Sequence, residues 1–174
     1  MIPPNVWIVF LIGLVPLAVG ALYYSPALLH NAWMRAAGMT EEKIANANMT
    51  KIFGLSYVYG VLIALLLSMI VIHQFALSGM FGMLSDQWMV EGSSLMTQLD
   101  ALDAEFEAYS RHRHFGHGAL HGGFFALAFV APIICINALF ERFGWRYMAI
   151  HSGYWFICLT LMGGLLAQFL KLPL

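Results

Sequence analysis

Four long apolar stretches without Lys, Arg, Asp or Glu constrain this chain more than any other feature. They cover residues 6–24, 52–77, 118–140 and 147–170. A helix rises about 1.5 Å per residue, so about 20 apolar residues cross the roughly 30 Å hydrocarbon core of a bilayer. With 61% apolar and 10% charged residues in 174, the chain is not a single soluble domain. The sequence predicts an all-α integral membrane protein, one domain of four transmembrane helices over residues 1–174.

The first stretch raises the question of a cleaved signal peptide. It begins Met-Ile-Pro-Pro, with no basic region before the apolar run, so we expect it to be retained.

Pro16 and Pro132 lie inside the first and third stretches. We interpret both as kinks, because neighbouring helices can satisfy the carbonyls that a proline leaves free.

The charges on the connections predict the orientation. Four spans place both termini and the long loop 85–115 on one side, which holds Arg111, Arg113 and Lys171. The other side holds five basic residues: Arg35, Lys43, Lys51, Arg142 and Arg146. Because positive charge accumulates on the cytoplasmic side, we expect both termini and the long loop to lie outside the cytoplasmic membrane.

The long outer loop has helical periodicity. Its apolar residues recur at spacings of 4, 3, 4 and 3 residues: Leu95, Leu99, Leu102, Phe106 and Tyr109. A second, acidic stripe contains Asp100, Asp103 and Glu107. This pattern predicts an additional amphipathic helix at about residues 94–110, on the bundle mouth or the lipid surface.

Histidines are concentrated just after this loop, four of the seven lying within residues 111–121. On a continuous helix His114, His117 and His121 would share one face, with His73 at the same membrane level. Such a group suits a divalent transition metal such as zinc, with Asp100, Asp103 or Glu107 as a further ligand or hydrogen-bond partner. Two alternatives stay open: imidazoles hydrogen-bonded to water, headgroups and the acidic helix, or haem ligation by His73 and a histidine of the third span.

A second polar cluster is predicted at the cytoplasmic mouth. Its members are Tyr24, Ser25, Trp33, Asn137, Glu141, Arg142, Arg146, His151 and Tyr154. An ionisable group at a membrane edge is costly unless it is paired, so we expect Glu141 to bind Arg146 or His151. The cluster is either a pocket for an anionic or amphipathic small molecule or a clamp between the third and fourth spans.

Several segments carry a family resemblance. Residues 20–26 read Gly-Ala-Leu-Tyr-Tyr-Ser-Pro and are followed by Trp33 and Gly38; the second half has Pro132, residues 137–142 and 153–155, and Met-Gly-Gly at 162–164. These segments resemble the bacterial membrane family called domain of unknown function 1761, and the long loop resembles its enlarged Bacteroidota-type version. The resemblance implies a four-helix protein of the bacterial inner membrane; the family has no established activity, so the resemblance points to no particular function.

The remaining features narrow the function classes. The chain has eight basic residues against nine acidic ones and no basic run, which excludes nucleic-acid binding. It also lacks a nucleophile elbow, a phosphate loop and an H-E-x-x-H motif, so no motif indicates an ordinary enzyme. Three hypotheses remain: a binding, transport or sensor component with an outer metal site, a structural or accessory subunit, and a small enzyme acting on a lipophilic substrate. Besides the lipid bilayer we expect a homo-oligomer or a partner membrane protein, because four short helices enclose little space.

Overall fold

The computed structural model describes residues 5–107 and 111–171, which form helices and no strand. The opening Met-Ile-Pro-Pro and Tyr109 lie outside these residues. The helices are α1 Trp7–Ile12, α2 Val15–Tyr23, α3 His30–Ala37, α4 Glu41–Ala45, α5 Met49–Val71, α6 Gln74–Phe81, α7 Ser94–Phe106, α8 Phe115–Phe125, α9 Ala131–Phe140 and α10 Trp145–Phe169. A π-helical turn, Ala126–Val130, joins α8 to α9. Three helices are long and apolar enough to cross a membrane: Met49–Val71, the continuous Phe115–Phe140 and Trp145–Phe169.

The two prolines inside the apolar stretches stand where the regular α-helix changes. The first stretch forms α1 and α2, separated at Gly13, and Pro16 stands in the first turn of α2. The first turn of a helix has no use for the N–H that proline lacks. The third stretch continues as one helix, and Pro132 stands two residues after the end of its π-helical turn.

The second apolar stretch is shorter as a helix than the sequence predicts. We expected it to run to residue 77, but α5 ends at Val71 because Ile72 is extended, with φ −111° and ψ 104°. Ile72 is fully buried, and α6 begins two residues later at Gln74. Burial of the Ile72 side chain takes precedence here over continuing the helix. His73 therefore lies in the connection between the two helices.

Hydrogen bonds tie the chain together at two opposite ends of the bundle. At the histidine end, where α5 and α10 finish, Asn5 donates from Nδ2 to the Phe169 carbonyl over 2.8 Å. At the tyrosine end, where α2 finishes and α10 begins, the Tyr23 hydroxyl donates to the Ile150 carbonyl over 3.0 Å. The pair α1–α2 therefore extends from one end of α10 to the other.

The core lies around α10, and apolar side chains also cover the outside. Among its fully buried side chains are Leu67, Leu159, Met162 and Leu166. On the outer faces Leu62 is 55% exposed and Phe124 68% exposed. Apolar residues on both the inside and the outside of long helices match a lipid environment rather than water.

Helices α8 and α10 cross closely through three glycines. A Cβ atom on Gly118 would meet the Gly163 carbonyl oxygen, and one on Gly122 would meet the Leu159 carbonyl oxygen. Small residues allow two backbones in a membrane to approach until van der Waals contact holds them together. This crossing fixes the position of α8 relative to α10.

The crossing predicts a specific cost for one methyl group. Gly122→Ala forces the backbones apart and should destabilise the bundle by about 1–3 kcal/mol. The matched control is Gly54→Ala in α5, where a Cβ meets nothing within 4 Å and alanine is neutral or stabilising by up to about 1 kcal/mol. Thermal unfolding in detergent measures both, and equal melting temperatures for the two variants would contradict the close crossing.

The long loop contains the helix α7, which Ser93 caps by accepting the Met96 backbone N–H. The helix ends at Phe106, before the predicted end, and residues 108–110 lie outside the described part of the chain. Leu99 is 8% exposed, but Leu102 is 48% and Phe106 60% exposed. The predicted apolar face is therefore buried at Leu99 and exposed further along the helix, at Leu102 and Phe106.

Candidate metal centre

Three histidine side chains converge at the histidine end of the bundle. His73, His117 and His121 each offer one ring nitrogen, and these atoms all lie within 4.8 Å of one another. The Nε2 atoms of His73 and His117 are 3.2 Å apart. Two nitrogens bound to one tetrahedral zinc ion lie about 3.3 Å apart, since each bond measures about 2.0–2.1 Å. His73 and His117 therefore have the spacing of two ligands on one ion, and His121 lies next to them.

Two separate elements position these ligands. His117 and His121 lie one turn apart on α8, and their ring centroids are 4.4 Å apart. His73 comes from the connection between α5 and α6, with its ring centroid 4.9 Å from that of His117. The buried Ile72 anchors this connection, and the glycine crossing holds α8. The ligand atoms are thus brought together by packing that does not involve the imidazoles themselves.

His114 does not join the three, which corrects the prediction of one continuous helix face. Helix α8 begins at Phe115, and His114 is extended, with φ −144° and ψ 160°. Its Nδ1 accepts the His117 backbone N–H over 3.3 Å, and its ring centroid is 6.0 Å from that of His117. His114 is therefore the N-cap of α8, a position that favours a short polar acceptor.

The predicted carboxylate ligands lie elsewhere. Asp100 and Asp103 are on α7, and Glu107 is its C-cap in the left-handed conformation, with φ 49°. Within residues 5–107 and 111–171, the atoms that converge come from three histidines and from none of these acids. The acidic stripe therefore contributes no ligand to the group that the structure brings together.

A fourth ring, that of His112, lies against the group and was not among the predicted ligands. It stacks on His117 with ring centroids 4.4 Å apart and an interplanar angle of 26°. Its centroid is 5.4 Å from that of His73. His112 precedes α8, so no helical spacing relates it to His117; the signal that could have found it is the density of histidines in residues 111–121.

Burial and neighbouring imidazoles keep His73 neutral. Burial lowers the pKa of His73, and the charges that His121 and His112 would bear lower it further. A neutral imidazole has the free lone pair that a metal requires.

This shift predicts the pH dependence of stability in chelator-treated protein. Because the folded pKa lies below the unfolded value of about 6.5, the unfolded chain binds the proton first as the pH falls. The melting temperature should therefore fall from pH 7 to pH 5.5. His73→Asn removes this titration and should flatten the curve, whereas an unchanged slope in His73→Asn would contradict the assignment.

The family follows from comparison with known proteins. The family model described as Protein of unknown function (DUF1761) matches residues 7–167. The chain belongs to this family. No curated protein and no solved structure matches it. In this member of the family, all three converging histidines lie inside the matched residues.

The tyrosine end of this family member gathers the aromatic part of the second predicted cluster. The Tyr24 ring lies 5.5 Å from Trp33 and 5.2 Å from Tyr154, measured between centroids. Its hydroxyl is 3.4 Å from Nδ1 of His151. Tyr154 donates from its hydroxyl to the Pro16 carbonyl over 2.8 Å. These contacts join α2 and α3 to α10. The third span takes no part in them, so they are not the clamp between the third and fourth spans that the sequence predicted.

The other members of that predicted cluster do not meet these rings. Asn137, Glu141, Arg142 and Arg146 are exposed. The guanidinium of Arg146 lies 5.6 Å from the centroid of the Trp145 ring. In the described chain no Arg or His nitrogen lies within ion-pair distance of Glu141, so its expected pairing is wrong. Water solvates an exposed carboxylate, which removes the cost that made a partner necessary. Ser25 is the remaining member; its Oγ is buried without a hydrogen-bond partner in the described chain.

The Tyr154 hydrogen bond predicts a measurable contribution to stability. Tyr154→Phe removes one partly buried hydrogen bond and should lower the free energy of unfolding by about 1 kcal/mol. Tyr59→Phe is the matched control, because Tyr59 is 58% exposed. Thermal unfolding in detergent compares them, and equal stability of the two variants would contradict a structural role for the Tyr154 hydroxyl.

Proposed function

We propose that the protein binds one divalent transition metal ion of the zinc class at the histidine end of a four-span membrane bundle. His73, His117 and His121 are the proposed ligands. The observation that supports this function is the convergence of three ring nitrogens, from two separately anchored elements, within 4.8 Å.

The donor set defines the class of metal. Imidazole nitrogen suits zinc, copper, nickel and iron, whereas calcium and magnesium prefer oxygen. Of the metals that imidazole suits, zinc takes nitrogen ligands in a tetrahedral arrangement. The 3.2 Å between two of the nitrogens agrees with that arrangement. Three protein ligands leave a fourth position on such an ion.

The proposed fourth span is the pair α1–α2, which the break at Gly13 keeps shorter than the other three. Asn5 contacts Phe169 at one end of the bundle and Tyr23 contacts Ile150 at the other. In the middle, a Cβ on Gly60 of α5 would meet the Gly13 carbonyl oxygen. These contacts support a span that crosses beside α5 and α10.

The bundle interior favours binding at one face over passage through it. Around Leu67, Leu159, Met162 and Leu166 the buried core is apolar. The buried polar residues of the described chain are Ser68 and Gln74, near the histidine end. Among the described residues, no second group of three His, Cys, Asp or Glu side chains converges along the bundle, so we propose a sensor or accessory role in preference to transport.

The orientation is part of this proposal: the histidine end faces the outside of the bacterial inner membrane. In a Cys135→Ala, Cys158→Ala background, Ser94→Cys should react with an impermeant thiol reagent in intact spheroplasts. Ala36→Cys, at the tyrosine end, should react after lysis and not before. The reverse pattern would invert the orientation while leaving the metal site unaffected.

Metal binding is tested by thermal unfolding with and without zinc. A ligand that binds the folded state alone stabilises it by about 2.7 kcal/mol at a free concentration one hundred times its Kd. We expect a rise in melting temperature for the wild type and for His30→Ala, whose histidine lies on α3 at the tyrosine end. The rise should vanish in the double variant His117→Ala, His121→Ala, and it should become smaller as the pH falls, because protons compete with the metal for the imidazoles.

Elemental analysis of the purified proteins provides an independent readout. One zinc per chain is expected in the wild type and in His30→Ala, and none in the double variant. A double variant that retains both the metal and the thermal response would refute the site.

A further inference from the structure

His112 occupies the space beside the proposed metal site from which a fourth ligand could approach. Its ring centroid is 5.4 Å from His73 and 4.4 Å from His117. For two imidazoles on one tetrahedral ion, bonds of about 2.0–2.1 Å place the ring centroids about 5 Å apart. The centroid distances between His73 and the two α8 ligands, 4.9 and 5.4 Å, fall around the same value.

We propose that His112 is the fourth ligand and closes the metal site, an inference that rests on the proposed function. In the structure its ring stacks on His117 at an interplanar angle of 26°. Nearly parallel rings do not direct their lone pairs at one point, so coordination requires His112 to turn out of this stack. Such a turn is a side-chain rotation between staggered rotamers and leaves α5 and α8 in place.

Tethering favours His112 over water at the fourth position. An imidazole held within a few ångströms of an open coordination site competes at a high effective concentration. Zinc sites with four protein ligands are typically structural, whereas those with three keep a water for chemistry. Closure by His112 therefore assigns the site to metal sensing or stabilisation and not to metal-assisted hydrolysis.

Coordination by His112 also gives the site a mechanical consequence. His112 belongs to the end of the long loop, while the other ligands belong to the bundle. Metal binding therefore fastens the segment before α8 to the connection after α5. This is the kind of coupling by which a small binding protein reports an ion to a partner.

His114 provides the matched control, since it belongs to the same segment. Its ring is 6.0 Å from that of His117 and its Nδ1 is engaged with the helix amide. His114→Ala removes a cap and perturbs the local structure. It removes none of the four proposed ligands.

The experiment is a Co²⁺ titration of the wild type, His112→Ala and His114→Ala in detergent, followed by visible d–d absorption. The wild type and His114→Ala should bind Co²⁺ with the same Kd and show tetrahedral bands. Their spectra should not change when azide is added. His112→Ala should bind at least about tenfold more weakly and change its spectrum when azide enters the open position. Millimolar imidazole should restore the wild-type bands in His112→Ala.

The possible failures are distinguishable. If His112→Ala keeps the wild-type Kd and azide alters the wild-type spectrum, His112 is not a ligand, and the three-histidine site stands. An equal loss of affinity in His114→Ala would mean that order in the segment, and not coordination, explains the result, and would also overturn the inference. If the wild type binds no Co²⁺, the proposed function and the role of His112 both fall.

Discussion

The glycine crossing of α8 and α10 is the contact on which the rest of the structure depends. Gly118 and Gly122 lie against the backbone of α10 at Gly163 and Leu159, and the small Ala167 side chain also lies against Gly118. His117 and His121 directly precede these two glycines. The packing that holds the bundle together therefore also sets the height and rotation of the two imidazoles, and any residue that widens the crossing displaces both ligands.

The part of the site that sequence could predict is the part that depends on local geometry. A spacing of four residues places His117 and His121 one turn apart on any helix, and α8 confirms that relation. The membrane-like helices and the family were likewise predictable, from long uncharged stretches and from motifs. The end of α5 was not, because residues 72–77 contain no charged residue, glycine or proline that would mark a helix end, and the extended Ile72 is buried in the assembled core. His112 was missed for a different reason: it lies in the turn before α8, so its contact with His117 follows no helical period.

At the tyrosine end, proximity to the membrane edge was a poor guide to which residues meet. Glu141, Arg142 and Arg146 follow the third span closely, but all three are exposed, and an exposed charge does not need the partner that a buried charge requires. Tyrosine hydroxyls instead bond to backbone carbonyls and to His151.

The two ends therefore differ in how their polar groups are satisfied. At the tyrosine end, Tyr23 and Tyr154 each donate to a carbonyl, which needs no further partner. At the histidine end, three ring nitrogens converge within 4.8 Å, and a neutral imidazole has one donor and one acceptor nitrogen. One N–H can bridge His73 and His117 across 3.2 Å, but a single proton cannot serve all three nitrogens. A cation can accept three such lone pairs at once, and the proposed metal site rests on this property of the packed nitrogens.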